Sequence, residues 1–368
     1  MRINISQVSI GATERRLIDE VLDGGNLAQG RLVAELESEF ASRAGSSFAV
    51  ATSSGTTALQ LALEVAGVGP GDEVITSPFT FSATLNAILS RGAIAHLVDI
   101  DEDTFNLRPE LASDAVTPKT KAIMPVHLYG LSADMARLVP LRESTGVRIV
   151  EDAAQAHLAT QGAYRVGTRD LGCFSLYATK NLTSAEGGLV TGSNPEDEDR
   201  LRMLRNQGMR GRYEYAAVGY NYCLTELAAA IGLGQLERID QTMATRDRNA
   251  ALLTEGLRGI PGLVTPVVPP GYRHVWHQYT IRVTREARLT RDELAAALGA
   301  SGIGSGIYYP KVLVDYPVYA EHPHVLVGDL STARRVATEV LSLPVHPGLS
   351  NANVTEVTER VRAALGYA

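Results

Sequence analysis

Between residues 48 and 151, short apolar runs alternate with longer amphipathic runs, and this alternation constrains the fold more than any other feature of the chain. Serial strand–helix units join parallel strands through right-handed crossovers. The sequence therefore predicts an open α/β sheet, on which ligands collect at the carboxyl ends of the strands. The predicted strands are 48–51, 72–76, 93–99, 122–127 and 148–151, and the predicted helices between them are 56–68, 82–90 and 134–144.

The rest of the chain predicts a second, smaller domain. Helical sequence after Glu226 runs to Leu257, and a proline cluster then marks a linker near 258–272. At 368 residues the chain exceeds the size at which single cores stop growing. We predict a large domain over 1–257 and a small C-terminal α+β domain over 258–368. The further predicted helices are 10–27, 32–44, 291–298, 330–340 and 352–365, and the further predicted strands are 279–283 and 306–309.

Composition excludes several classes of function. A net charge of −7 argues against nucleic acid or an anionic membrane as partner, because both bind basic surfaces. Two cysteines, Cys173 and Cys223, are too few for a disulfide framework or a zinc site, so no metal is expected. The N-terminus lacks a signal-peptide pattern, and no apolar run is long enough to cross a membrane, so we predict a cytoplasmic protein.

The segment from Gly172 to Gly192 contains the residue most suited to covalent chemistry. A predicted strand, 173–178, leads directly to Thr179 and Lys180. A lysine at the end of a buried strand is desolvated, which favours the neutral amine and allows a Schiff base. The alternative is a solvated loop lysine, and Lys180 alone does not decide between them.

Two other strand ends carry polar groups. In SSGTTALQLAL, 53–63, a glycine-containing turn enters a helix, so the N–H groups of Thr56 and Thr57 would point at one phosphate-sized spot. An ordinary N-cap by Ser53 or Ser54 is the alternative. Asp152 follows the strand 148–151 and either pairs with a protonated ring nitrogen or caps the next helix.

Four segments resemble the DegT/DnrJ/EryC1/StrS family of sugar aminotransferases. Residues 175–188 match a motif close to SFHATKN followed by EGG, and residues 53–63 are similar to the family's NGTAAL loop. Residues 151–159 resemble EDAAQAHGA, and residues 219–240 resemble GYNYRMTELQAAIGLAQLERLD. The resemblance runs from about residue 10 to residue 360.

The resemblance implies fold type I, with a mostly parallel, seven-stranded-type sheet, and pyridoxal 5′-phosphate (PLP) as cofactor. Lys180 would hold PLP as a Schiff base, Asp152 would pair with its ring nitrogen and Gln155 with its phenolic oxygen. The turn at Gly55, Thr56 and Thr57, together with Ser175, would bind the phosphate, and Phe81 would stack on the ring unless it is a core residue. Asn221 would reach the phosphate of a neighbouring subunit, which implies a homodimer with composite sites.

Some positions depart from the family's pattern. Cys223 replaces an arginine, which removes a possible bidentate grip on an anion. Ala228 stands for a glutamine, Leu158 for a glycine, and Val314 for a histidine of many members. Lys180 is retained, which separates the chain from the family's dehydratases, where histidine replaces it.

The sequence is therefore expected to encode a PLP-dependent aminotransferase that acts on a nucleotide-linked 3-keto or 4-keto hexose, with L-glutamate as donor. Arg210, Arg212, Tyr309 and Lys311 are candidates for contacts to the substrate. The alternatives are a glutamine-dependent keto-cyclitol aminotransferase and a non-catalytic PLP sensor. A dinucleotide-dependent oxidoreductase is excluded, because SSGTTAL lacks the G-x-G-x-x-G spacing.

Overall fold

The computed structural model describes residues 2–367, so the end residues 1 and 368 of the predicted domains lie outside it. The helices are α1 Ala12–Gly24, α2 Arg31–Ala44, α3 Gly55–Val65, α4 Ser82–Ser90, α5 Pro109–Asp114, α6 Met135–Thr145, α7 Pro195–Arg205, α8 Glu226–Glu237, α9 Ile239–Gly256, α10 Arg291–Ala300, α11 Pro317–Ala320, α12 Ser331–Glu339 and α13 Asn351–Ala364, with 3₁₀ turns at Leu128–Gly130 and Leu313–Asp315. The strands are β1 Phe48–Thr52, β2 Glu73–Thr76, β3 Ile94–Leu97, β4 Thr120–Met124, β5 Arg148–Asp152, β6 Thr160–Gln161, β7 Tyr164–Arg165, β8 Leu171–Ser175, β9 Gly188–Gly192, β10 Met209–Gly211, β11 Glu214–Tyr215, β12 Leu263–Val264, β13 Tyr272–Arg273, β14 Tyr279–Val283, β15 Val325–Val327 and β16 Val340–Leu343.

An eight-stranded, mostly parallel sheet organises the large domain, in the order β1-β9-β8-β5-β4-β2-β3-β15. Only β9 runs against its neighbours, β1 and β8. Seven of the strands come from residues 48–192, and the eighth, β15, joins in parallel beside β3. The predicted α/β class with a seven-stranded-type sheet is confirmed, with one edge strand that the sequence did not predict.

Each face of the sheet packs against its own layer of helices. Along β1 the side chains alternate, so that Val50 joins the core under α3 while Ala49 and Ala51 join the core under α2. Every residue of β1 is buried, which explains why this strand reads as an uninterrupted apolar run. Helices α1 and α2 are followed directly by Gly25 and Gly45, whose left-handed conformation (φ +71° and +74°) glycine adopts without strain.

The C-terminal part builds a separate core around an antiparallel three-stranded sheet, β12-β14-β16. Helices α9 and α13 cover it, and Ile3 from the N-terminal segment also packs there. Two strands from beyond residue 258 pair with the large domain, since β13 pairs with β6 and β15 with β3. The division at residue 257 stays a prediction.

Two strand predictions are wrong. Residues 306–309 form no strand, and only Gly306 makes an isolated bridge, to Ser342. The partner of β14 is instead β16, which begins at Val340, the last residue of a predicted helix. The strand predicted over 173–178 ends earlier, at Ser175, so Lys180 lies in the following loop rather than at the strand end.

Candidate active site

A cavity of about 520 Å³ opens at the carboxyl edge of the large sheet. Loops after β1, β2, β5 and β8 form one side, and the N-terminal segment and the C-terminal domain form the other. The predicted site residues that line the cavity are Gly55, Thr56, Phe81, Asp152, Gln155, Ser175, Lys180 and Tyr309.

The loop that carries Lys180 is tied down by backbone hydrogen bonds. Leu176 N–H donates to the carbonyl of Gly187 at 2.8 Å, and Ser184 N–H donates to the carbonyl of Leu176 at 2.9 Å. Next to Lys180, the side-chain amide of Asn181 donates to the carbonyl of Val275 at 2.7 Å. The lysine thus projects from a loop anchored on both sides.

Burial lowers the pKa of the Lys180 amine. Part of the residue's surface remains exposed, but its amine lies deep enough that desolvation lowers its pKa to about 8. The negative charge of Asp152 opposes this effect and is outweighed by it. Near neutral pH the neutral amine is therefore far more populated than in an ordinary lysine, as nucleophilic attack requires.

Asp152 ends β5 and is only 6% exposed. The hydroxyl of Thr84 donates to its Oδ2 at 2.7 Å, and the N–H of Ala154 donates to its Oδ1 at 3.2 Å. Within residues 2–367 no lysine, arginine or histidine lies within ion-pair distance of this carboxylate. A buried, hydrogen-bonded carboxylate that lacks a cation is suited to a cationic ring nitrogen, so it fits the pyridine of PLP.

The amino end of α3 faces the same cavity. Ser54 caps the helix, since its Oγ accepts from the N–H of Thr57 at 3.1 Å. The N–H of Thr57 is therefore used by the cap, and Thr57 does not line the cavity, unlike Gly55 and Thr56. A Cβ on Gly55 would lie 2.8 Å from the Cβ of Ser175, so the helix start and the end of β8 form a tight cradle. Such a helix terminus fits a phosphate group.

Three more predicted residues, Phe81, Gln155 and Tyr309, form part of the cavity wall. Phe81 is 58% exposed, so the alternative that it is a core residue is wrong. Its ring lies 6.2 Å from that of Tyr309. The amide of Gln155 donates to the hydroxyl of Tyr309 at 3.3 Å and accepts from the N–H of Tyr129 at 2.7 Å, which fixes its orientation.

The other predicted substrate or cofactor contacts lie outside the cavity. Arg212 sits on the exposed β10-β11 hairpin over Tyr213, and Arg210 pairs with Asp199 at 2.7 Å. Lys311 lies over the ring of Tyr316. Asn221 is exposed and forms an isolated antiparallel β-bridge with Asn206. Of the departures from the family's pattern, Cys223 lies against the carbonyl of Arg205, and Val314 is buried in the core.

Several cavity residues from the C-terminal side and from the N-terminal segment were not predicted from the sequence. Arg246, His277, Gln278, His346 and Ser6 all line the cavity. Burial holds the pKa of His277 well below its ordinary value, aided by the charges of Lys180 and Arg246, so the ring is neutral. Arg246 stands in the polar run ATRDRN of α9, whose composition gives no signal that this one arginine points inward.

Glu151, to which the sequence assigned no role, belongs to a buried network on the other side of β5. Its carboxylate accepts from Nε2 of His127 at 2.8 Å, from the hydroxyl of Tyr164 at 2.5 Å and from the N–H of Gly167 at 2.9 Å. Nδ1 of His127 accepts from the N–H of Ala133, so Nε2 carries the proton. The network fixes the strand end from which Asp152 projects.

Two kinds of feature are absent from residues 2–367. In that range no group of three or more His, Cys, Asp or Glu side chains is arranged to hold a metal ion. The same residues include no helix with the length and apolar character needed to cross a membrane.

Known proteins match the chain over nearly its full length. The model of the DegT/DnrJ/EryC1/StrS aminotransferase family matches residues 8–362. A GDP-perosamine synthase of Caulobacter vibrioides is 38% identical, with 99% of this chain and 97% of that protein covered. The dTDP-3-amino-3,4,6-trideoxy-alpha-D-glucose transaminase of Streptomyces venezuelae is 41% identical, with 94% and 90% covered. A crystal structure of S. venezuelae DesV in complex with a ketimine intermediate superposes with a TM-score of 0.91 at 40% identity, with 96% and 94% covered.

The mostly parallel sheet, the buried lysine and this structural neighbour define a fold type I aminotransferase. The chain belongs to the DegT/DnrJ/EryC1/StrS aminotransferase family. The resemblance inferred from the sequence motifs and the aminotransferase class are both confirmed.

Proposed function

We propose that this aminotransferase uses PLP to transfer the amino group of L-glutamate to the ketone of a nucleotide-linked 3-keto or 4-keto hexose. The observation that carries the proposal is the convergence on one cavity of Lys180, Asp152 and the amino end of α3. When bound, PLP supplies a ring that stabilises negative charge on a carbon that has lost its proton.

Each of these groups has a separate task. The neutral amine of Lys180 would bind the cofactor and, once displaced by the donor, its Nζ would take the proton from the donor's α-carbon. Asp152 would keep the ring nitrogen protonated, held in place by the hydroxyl of Thr84. The cradle of Gly55, Thr56 and Ser175 would bind the phosphate, and Phe81 and Gln155 would fix the ring.

The substrate class is supported by the relatives and by the size of the cavity. The relatives described above are named for a GDP-linked and a dTDP-linked sugar. A volume of about 520 Å³ lies within the range of small-molecule sites and exceeds what a cofactor ring alone would fill. A sugar can therefore be held against the cofactor while the nucleotide extends outward.

We include a homodimer in the proposal. The cavity is open on the side of Phe81 and Tyr177, which are 58% and 47% exposed. Asn221 is exposed and does not line the cavity of its own subunit, and in the proposed dimer it would serve that of a second copy. A partner would then complete each site.

The decisive measurement is the visible absorption spectrum of the PLP-loaded protein before and after addition of L-glutamate, beside the Lys180→Ala variant. We expect a band of the lysine-bound cofactor that glutamate abolishes with release of 2-oxoglutarate, and that Lys180→Ala lacks. A wild-type protein without any such band would contradict the proposal.

Donor comparison separates the remaining alternatives. A band that responds to L-glutamine and not to L-glutamate would favour keto-cyclitol amination. A band that neither donor changes would favour a non-catalytic PLP sensor.

A further inference from the structure

Arg246 of α9 is a buried arginine without a counter-ion. It is 5% exposed and lines the cavity together with Lys180. One of its guanidinium nitrogens, Nη1, donates to the backbone carbonyls of Trp276 at 2.8 Å and His277 at 3.5 Å. Its Nε is buried and has no hydrogen-bond partner among the described residues.

The other buried arginines in residues 2–367 are all paired. Arg205 contacts Glu37 at 2.5 Å, Arg282 contacts Glu339 at 3.3 Å and Arg291 contacts Asp292 at 2.6 Å. Removing an ion from water without a partner is expensive, and natural proteins avoid it outside functional sites. An arginine left unpaired beside a cavity therefore indicates an anionic ligand.

The surroundings of Arg246 keep it charged and leave room for that anion. Burial lowers its pKa to about 10, so the guanidinium is still protonated at neutral pH. His277 and His346 beside it have lowered pKa values because they are buried, and neither supplies a negative charge. The carboxylates that line the cavity are Asp152, which Thr84 and Ala154 already bond, and the exposed Glu186.

We propose that Arg246 binds the α-carboxylate of the amino donor. The inference rests on the proposed function and names the group that selects an amino acid as donor. The carboxylate is one bond from the carbon whose amino group must reach the position of Lys180, so a residue that lines the same cavity as Lys180 is well placed to bind it. The diphosphate of a nucleotide-linked hexose is separated from the reacting ketone by the sugar ring and would lie farther out.

Single-turnover kinetics of the PLP-loaded dimer or monomer, as purified, test the inference. The rate at which L-glutamate abolishes the visible band is measured against glutamate concentration in wild type, Arg246→Met and Arg246→Lys. We expect the apparent dissociation constant of L-glutamate to rise on the order of 10- to 100-fold in Arg246→Met, the value of a charge-assisted hydrogen bond, and less in Arg246→Lys. Guanidinium ion added to Arg246→Ala should restore part of the loss.

Thermal unfolding of the cofactor-free protein separates binding from a structural role. If Arg246 serves a ligand, Arg246→Met removes an uncompensated buried charge, and its Tm should equal or exceed that of wild type. A marked fall in Tm with unchanged glutamate dependence would show that Arg246 only supports the loop at Trp276, and would overturn the inference.

Thymidine diphosphate serves as the probe for the rival anion. Its inhibition constant in the donor reaction should be the same in wild type and Arg246→Met. Weaker inhibition in the variant, together with unchanged glutamate dependence, would assign Arg246 to the diphosphate and contradict the inference. If the wild-type protein binds PLP but reacts with no amino acid, the proposed function itself is contradicted. If wild type reacts and the Arg246 variants react equally well, only the inference about Arg246 is contradicted.

Discussion

Lys180 occupies an environment that favours its chemistry at the expense of stability. In the folded cofactor-free protein its pKa is about 8, while the unfolded chain has the ordinary value of 10.5. Between these values the unfolded chain binds more protons, so the contribution of Lys180 to stability rises with pH in that window. Below about pH 8 the buried, charged amine of Lys180 destabilises the folded protein by its full amount.

The destabilisation caused by the buried amine of Lys180 can be measured by replacing this lysine. We expect cofactor-free Lys180→Met to be more stable than wild type at pH 7, by up to roughly 3 kcal/mol, which is the free energy equivalent of the pKa shift. The difference should shrink between pH 8 and pH 10.5. Denaturant unfolding across that range checks it, with Lys311→Met at an exposed lysine as the control; a difference independent of pH would contradict burial as the cause.

Asp152 is the residue whose charge, rather than whose shape, is predicted to matter. Asp152→Asn keeps the size and can still accept from Thr84, but it loses the charge that would hold a ring nitrogen protonated. We expect PLP binding to persist and the reaction with L-glutamate to slow on the order of 10²- to 10³-fold. Stopped-flow decay of the visible band measures this, with Asp101→Asn at an exposed site as control. Equal rates in Asp152→Asn and wild type would remove the charge from the mechanism.

At the scale of elements, one carboxylate joins two helices. Glu226 is the first residue of α8, yet its buried side chain accepts from the N–H groups of Gly30, Leu32 and Val33 at 2.9 to 3.0 Å, at the amino end of α2. It thereby satisfies donors that a helix start leaves free. The position of α8, which packs against both α1 and α2, depends on this contact.

Replacing that carboxylate tests its contribution. Glu226→Gln leaves one oxygen for three donors, and we expect a loss in the free energy of unfolding of about 2 kcal/mol. Glu35→Gln, on the exposed face of α2 in an ion pair with Arg31, should change it by less than about 0.5 kcal/mol. Urea unfolding of both variants gives the comparison, and similar values for the two would show that the buried contact contributes little.

The elements that could be predicted from sequence are those with strong local periodicity. Helix α4 and strand β14 have the predicted bounds, because apolar spacing and flanking breakers coincide there. The short edge strand β15 and the strand β16 were missed, since three or four residues carry no period and their pairing is set by distant partners. The aromatic run 306–309 mimics a strand, but its tyrosines serve the cavity wall instead.

The candidate site shows the same division. Lys180, Asp152 and Gly55 lie within recognisable sequence motifs, so their presence in one site could be predicted, and all three line the cavity. Arg246 and His277 enter the cavity from α9 and from the loop before β14, and only packing of the C-terminal domain places them there. Thr57 stays a predicted phosphate contact, because a capping hydroxyl and a phosphate compete for the same N–H and the sequence pattern is identical for both.

At the scale of the whole molecule, the exposed aromatic surface indicates where a partner would bind. Tyr213 and Tyr215 on the β10-β11 hairpin are 70% and 66% exposed, and Val218 beside them is 87% exposed. Asn221 lies a few residues farther on. In the proposed dimer this region would cover the open side of the partner's cavity and bring Asn221 to the phosphate cradle.

Mixed dimers test this arrangement directly. Lys180→Ala removes the nucleophile of its own site, whereas Asn221→Asp sets a negative charge against the phosphate in the partner's site. Each variant alone should be nearly inactive. In a mixed dimer, one site takes Lys180 from one subunit and Asn221 from the other, and is intact.

Because random pairing of equal amounts makes half of the dimers mixed, with one intact site each, co-refolding should recover roughly a quarter of wild-type activity. Native mass spectrometry confirms that mixed dimers have formed, and co-refolded Lys180→Ala with a second variant at Lys180 provides the control that should stay inactive. Mixed dimers without recovered activity would place Asn221 outside the partner's site. A protein that remains monomeric and active would contradict the proposed dimer, because each cavity would then work without a residue from a second subunit.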